Sequence, residues 1–179
     1  MSFHHIVVIL TKPSTQGDSG FGYKTIMMKY GLYIPLACVA VFFLWGLHTD
    51  GTENWVNQLL SNALVIGLGG QLLGFAVGHL FKADVIAEQI GWKKGSPFQL
   101  EVGIANLAIG VLGVMCAWFS GAFWLATVIV ATIWLWGCVA GHVRDMIQNR
   151  NFSPGSAGFI FYWGLLYPVA LIVLLSISD

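Results

Sequence analysis

Charge is what this sequence has least of: Asp, Glu, Lys and Arg make up 9% of its 179 residues, against roughly 25% in a soluble domain. Eight basic and eight acidic side chains cancel to a formal zero, and the pI is about 6.9. No positive field is available to hold phosphates, which excludes a nucleic-acid binder. Cysteine is scarce as well. Cys38, Cys116 and Cys138 each lie inside an apolar run, which excludes a disulfide-stapled secreted domain. The hydrophobic share of 57% excludes a disordered chain. Familiar catalytic signatures are missing too, with no His-Glu-x-x-His, Gly-x-Ser-x-Gly, Walker loop or Rossmann fingerprint. Gly67-Leu-Gly69-Gly70 falls within an apolar stretch and cannot cradle a dinucleotide. The sequence leans away from an enzyme.

What is present is a set of long uncharged stretches: Tyr30 to Thr49, Asn54 to Phe81, Val102 to Val143, and Asn151 to Ser178. A bilayer core about 30 Å thick takes about 20 helical residues to cross. The third stretch is long enough to cross twice, with a hinge at Phe119-Ser120-Gly121. The expected fold is therefore all-α, a polytopic transmembrane bundle of five helices near 27–47, 56–82, 97–119, 122–147 and 154–177. Residues 1–25 form a separate N-terminal segment, and 26–179 the transmembrane domain. No charged residue falls in a span away from its ends, which argues against a charge-driven pump through the bilayer centre.

Basic residues set the orientation. Five alternating helices put Lys12, Lys24, Lys29, Lys82, Lys93, Lys94, Arg144 and Arg150 on one side, and only Asp50, Glu53 and Asp179 on the other. By the positive-inside rule the N-terminus is cytoplasmic and the C-terminus outside, in a plasma (inner) membrane. Trp45, Trp55, Trp118 and Trp124 then gather at the outer interface as an aromatic belt, with His48 beside them. In the N-terminal segment, the apolar core Ile6–Leu10 is shorter than a signal-peptide h-region of roughly 7–15 residues, and Pro13 follows it. That segment is expected on the cytoplasmic face or under the bundle, with His4 and His5 at the surface.

The second and fourth spans end alike: Gly74-Phe-Ala-Val-Gly78-His79 and Gly137-Cys-Val-Ala-Gly141-His142. Each is followed by a charged loop and a Ser-Pro start, Ser96-Pro97 and Ser153-Pro154. Proline suits the first helical position because the amide it lacks has no partner there. Gln99 is spaced to complete a capping box with Ser96. Spans two and three are thus a candidate parallel repeat of spans four and five. Glycines recur at Gly70, Gly74 and Gly78, at Gly137 and Gly141, and at Gly103, Gly110 and Gly113 with Asn106 between them. Such faces are expected to pack helix against helix; the alternative is a glycine-lined path or cofactor slot.

Polar residues cluster at the cytoplasmic ends of three spans: His79, Glu101, His142 and Asp145, with the neutral amide of Asn106 deeper. Cys138, His142 and Asp145 share one helix face. Intramembrane polar groups are functional candidates by default, and several readings compete. His79, His142 and Glu101 could ligate a divalent metal. The two histidines could hold a haem. The same groups could relay protons or a small solute, or they could be solvated caps in the headgroup layer.

The run from Gly95 to Gly110, with Gly141-His142 and Asn151-Phe-Ser-Pro-Gly155, resembles a functionally uncharacterised family of small prokaryotic multi-pass membrane proteins, over residues 55–177. The resemblance implies an integral membrane protein and assigns no substrate. The leading expectation is a protein with a polar site at the cytoplasmic leaflet handling a small solute, proton or metal. The alternative is a non-catalytic structural or accessory subunit, self-associated or within a larger membrane complex. A third reading is a membrane-embedded enzyme acting on a lipid or quinone, with Glu101 and His142 as its acid–base pair.

Overall fold

The computed structural model describes residues 33–49 and 51–178. The expectations for the N-terminal segment, for the first turns of the first span, and for Asp50 and Asp179 fall outside them. The described residues are predominantly helical, with no strand among them. They form α1 (Tyr33–Thr49), α2 (Trp55–Phe81), α3 (Ala83–Ile90), α4 (Phe98–Met115), α5 (Ala122–Asn149) and α6 (Pro154–Ile177). Four of these, α2, α4, α5 and α6, are long and apolar enough to cross a bilayer. The apolar α1 has 17 described residues, about 26 Å at 1.5 Å per residue. The short α3, buried through Ala87 and Ile90, occupies a stretch that the charge pattern marks only as a loop.

Many large apolar side chains face outward. Ile133 is 70% exposed, Ile147 75% and Leu166 60%. With no water to solvate it in a bilayer, an apolar exterior is what lipid requires, and helices satisfy their own backbone groups there.

The interior is built around α2. Leu60, Leu64, Leu68 and Leu72 are each 0% exposed. A repeat of four overshoots the 3.6-residue α-turn, so these leucines would drift around an ordinary helix. They stay inside because Ala63–Gly70 is wound as a π-helix, whose wider turn compensates in the opposite sense. Gly67, within that segment, leaves room for the Tyr167 ring of α6; a Cβ there would collide with the tyrosine hydroxyl. That hydroxyl donates to Ala63 O at 2.9 Å. Trp163 extends the contact, stacked on Tyr167 with centroids 4.9 Å apart and edge-on to Phe75 at 5.9 Å.

The π-segment also displaces the glycine register. The face of α2 that meets α4 carries Gly69, Leu73 and Leu80. A Cβ on Gly69 would lie 2.8 Å from Val114 N, and one on Gly113 2.8 Å from Gly69 Cα. Likewise Gly110 sits under Leu73 and Gly103 under Leu80. Gly78 faces Ile86 of α3. By contrast, Gly70, Gly74, Gly137 and Gly141 have nothing within 4 Å of a Cβ position among the described residues. Packing within the described chain therefore does not use those four.

Candidate functional site

Two polar regions lie at opposite ends of the bundle. The end bearing Lys82, Lys93, Lys94, Arg144 and Arg150 (the basic end) is built where α2 and α5 finish and α4 and α6 begin. His79 Nδ1 donates to Gln99 Oε1, which can only accept. Gln99 is 5% exposed. The Gln99 side chain thus serves α2 and makes no cap bond at the start of α4; the capping box expected with Ser96 does not form. His142 Nδ1 pairs with Ser156 Oγ at 2.8 Å, and Ser156 is 0% exposed. Gln99 and Ser156 occupy the same place in the two Ser-Pro starts, each three residues after the serine.

Asp145 is the hub of this end. Its carboxylate accepts from Trp92 Nε1 at 2.9 Å, Asn149 Nδ2 at 2.6 Å and Asn151 Nδ2 at 2.6 Å. Charge on the acceptor strengthens each of these bonds. The Asn151 amide also donates to Ile90 O at 2.7 Å and accepts from Ser153 N at 3.1 Å, so both its hydrogens and one acceptor site of Oδ1 are engaged. Trp92 stacks on the His142 ring with centroids 5.6 Å apart. Close backbone approach completes the seam. Gly91, at φ +74°, would place a Cβ 2.6 Å from Asn151 Oδ1, and Gly155 would place one 2.7 Å from Gln89 O. The segment between α2 and α4 is thereby bound to the start of α6. Ser153 Oγ is the one side-chain atom of this region that is buried without a partner among the described residues. At the rim, Lys94 Nζ donates to Glu88 at 2.9 Å, which raises the lysine pKa.

The expected metal set does not assemble. Among the described residues, no three His, Cys, Asp or Glu side chains lie close enough to hold an ion. Glu101 is exposed, and no hydrogen bond or ion pair joins it to His79 or His142. The reason is helical phase. Gln99, Gly103, Asn106, Gly110 and Gly113 form the buried face of α4, and Glu101, two residues from both Gln99 and Gly103, points the other way. This also separates the proposed Glu101–His142 acid–base pair. The two imidazoles are held in different hairpins by different partners, with no ring contact between them. Asn106, 3% exposed, lies deeper and accepts from Trp134 Nε1 of α5 at 2.9 Å.

At the opposite, tryptophan-rich end, an open cleft of about 550 Å³ lies between the end of α1, the start of α2 and the turn after α4. Trp45, Asn57, Gln58, Asn62, Trp118 and Trp124 are among its lining residues. Asn57 Oδ1 and Gln58 Oε1 are buried there without a hydrogen-bond partner among the described residues. Trp124 Nε1 is occupied, donating to Cys116 O at 3.0 Å. Because its polar groups are neutral, this region does not stand out among titratable residues; its visible signal in the sequence is the pair Asn57-Gln58 and Ser61-Asn62 at the head of an apolar span. Further along the bundle, Gln71 Oε1 and Trp163 Nε1 are also buried without partners among the described residues.

This is the architecture of a multi-pass helical membrane protein with one end closed by hydrogen bonds and the other hollowed. Residues 27–179 match a family described as a family of unknown function (DUF6790), and the chain belongs to that family. The match begins upstream of the 55–177 stretch over which the sequence resemblance runs. No curated protein and no solved structure matches the chain.

Proposed function

We propose that the protein is a non-catalytic, five-span component of the plasma membrane, with its N-terminus cytoplasmic and its C-terminus outside. In this reading Asp145, Asn151 and Trp92 form a latch between two helical hairpins, each pinned internally by its own histidine. The observation that carries the reading is internal satisfaction: both imidazoles, the Asp145 carboxylate and the Gln99 and Asn151 amides each have a hydrogen-bond partner within the chain. Asp145 and Asn151 are committed to these bonds and each imidazole is tied through Nδ1, leaving only its Nε2, so the connected network favours fixing one arrangement of helices over holding a metal or solute.

The hairpins α2–α4 and α5–α6 are then the two copies of a parallel repeat. The matching roles of Gln99 and Ser156 as histidine partners support that duplication. Assembly uses the open glycine faces, Gly70 and Gly74 on α2 and Gly137 and Gly141 on α5, where another copy or a partner subunit can approach closely. Solute handling stays as a second reading, favoured by the cleft at the tryptophan-rich end and not by the histidines.

The latch is tested by elemental analysis and thermal unfolding of the full-length protein in mild detergent, with and without His79→Ala and His142→Ala. A latch gives variants that unfold earlier, from a parent without stoichiometric metal. A metal bound in stoichiometric amount and lost in either variant contradicts it. Topology is tested by thiol labelling, and a cysteine placed at Ser14 or Lys93 that reacts from outside overturns the orientation.

A further inference from the structure

We infer that the cleft at the tryptophan-rich end is a binding site for a small, uncharged, polyhydroxylated solute of monosaccharide size. Three properties of the lining converge on that chemistry. First, it holds acceptors that nothing in the described chain uses: Asn57 Oδ1 and Gln58 Oε1 are buried and unpartnered. Native interiors pair such atoms with protein, ordered water or a bound molecule. Ser61, Asn62 and Thr49 add hydroxyl and amide groups around the same space. Ligands with several hydroxyl donors answer this set directly.

Second, among the described residues no Asp, Glu, Lys or Arg lines the cleft. A charged ligand would leave water without a counter-charge, which is costly. Third, three tryptophans line the cleft with the amides. Trp45 and Trp118 are 67% and 74% exposed at the rim, and Trp124 is held in place by its bond to Cys116 O. A sugar ring presents apolar C–H faces and hydroxylated edges, so indoles and amides together match its two surfaces. A volume of about 550 Å³ lies within the usual range for small-molecule sites, roughly 300–1,000 Å³.

The position of the cleft adds weight. Its polar floor ends at Asn62, and the π-helical segment begins at the next residue, Ala63; π-segments occur frequently at functional sites. Gly46, which also lines the cleft, lets α1 lie close against Gln58, since a Cβ there would lie 3.1 Å from Gln58 Oε1. None of this depends on the latch at the other end.

The test is tryptophan emission of the full-length protein in detergent micelles, titrated with glucose, galactose, mannose, xylose and myo-inositol. Glucuronate and glucosamine serve as charged counterparts of the same size. The expected result is a saturable change with at least one neutral compound and none with the charged pair. Asn57→Leu/Gln58→Leu weakens that binding about tenfold or more, the equivalent of one lost ligand hydrogen bond. Should the double variant not yield folded protein, Gly46→Val, which narrows the floor without removing an acceptor, gives the same loss. No saturation with any neutral compound, equal response to glucuronate or glucosamine, or unchanged binding in a folded variant overturns the inference. Metal analysis of the same preparations bears only on the latch, so the two ideas fail separately.

Discussion

The two ends of this bundle treat polar side chains in opposite ways. At the basic end, Asp145 gathers three donors and Asn151 uses both amide hydrogens. At the tryptophan-rich end, Asn57 and Gln58 keep buried oxygens that no described residue bonds, beside an open cleft. Polarity alone therefore does not mark a site in such a protein. A paired network fixes helices; an unpaired group beside a cavity has binding capacity left over.

Several substitutions would break or sharpen that contrast. The largest effect is expected in the spine that both ends share. Gly113→Leu pushes a side chain into the Gly69 backbone and should cost about 3 kcal/mol or more, the upper part of the overpacking range. Gly74→Leu meets nothing within the described chain and should leave the unfolding midpoint of the protomer unchanged while weakening self-association, read by size-exclusion light scattering. An intermediate effect is expected at Trp134→Phe. It leaves Asn106 Oδ1 buried without its donor, at about 1–3 kcal/mol, measurable as a lower midpoint in detergent. The smallest belongs to Glu101→Gln, exposed and outside the cluster: within about 0.5 kcal/mol in either direction.

Much of the architecture is legible in the sequence because lipid and charge write it coarsely. Charged residues punctuate the apolar runs where helices end, and the hinge at Phe119-Ser120-Gly121 separates α4 from α5. The 3-4-3 pattern of Gly103, Asn106, Gly110 and Gly113 is visible on paper, and the same residues form the buried face of α4. What stays hidden depends on phase and on partners. The π-segment slips the contact face of α2 by one residue, so Gly69 meets α4 where Gly70 and Gly74 do not. A shared depth says nothing about azimuth, which is why Glu101 turns away from histidines at its own level. The partners of the histidines, Gln99 and Ser156, look like helix-start residues until the hairpins close. Neutral amides such as Asn57 and Gln58 draw little notice beside ionisable groups. Only burial reveals that they are unpaired.

The most direct test sets the two ends against each other in one measurement: thermal unfolding of the full-length protein in a single detergent for two apolar replacements. Asn151→Leu removes two donated bonds and one accepted bond and should lower stability by about 2–3 kcal/mol. Asn57→Leu/Gln58→Leu removes polar atoms that bond to nothing in the described chain, so its midpoint should hold or rise, by up to about 1 kcal/mol. Opposite outcomes of this kind support a latched end and a hollow one. A similar fall in both would show that the amides at the tryptophan-rich end are already committed within the chain, and would contradict the account.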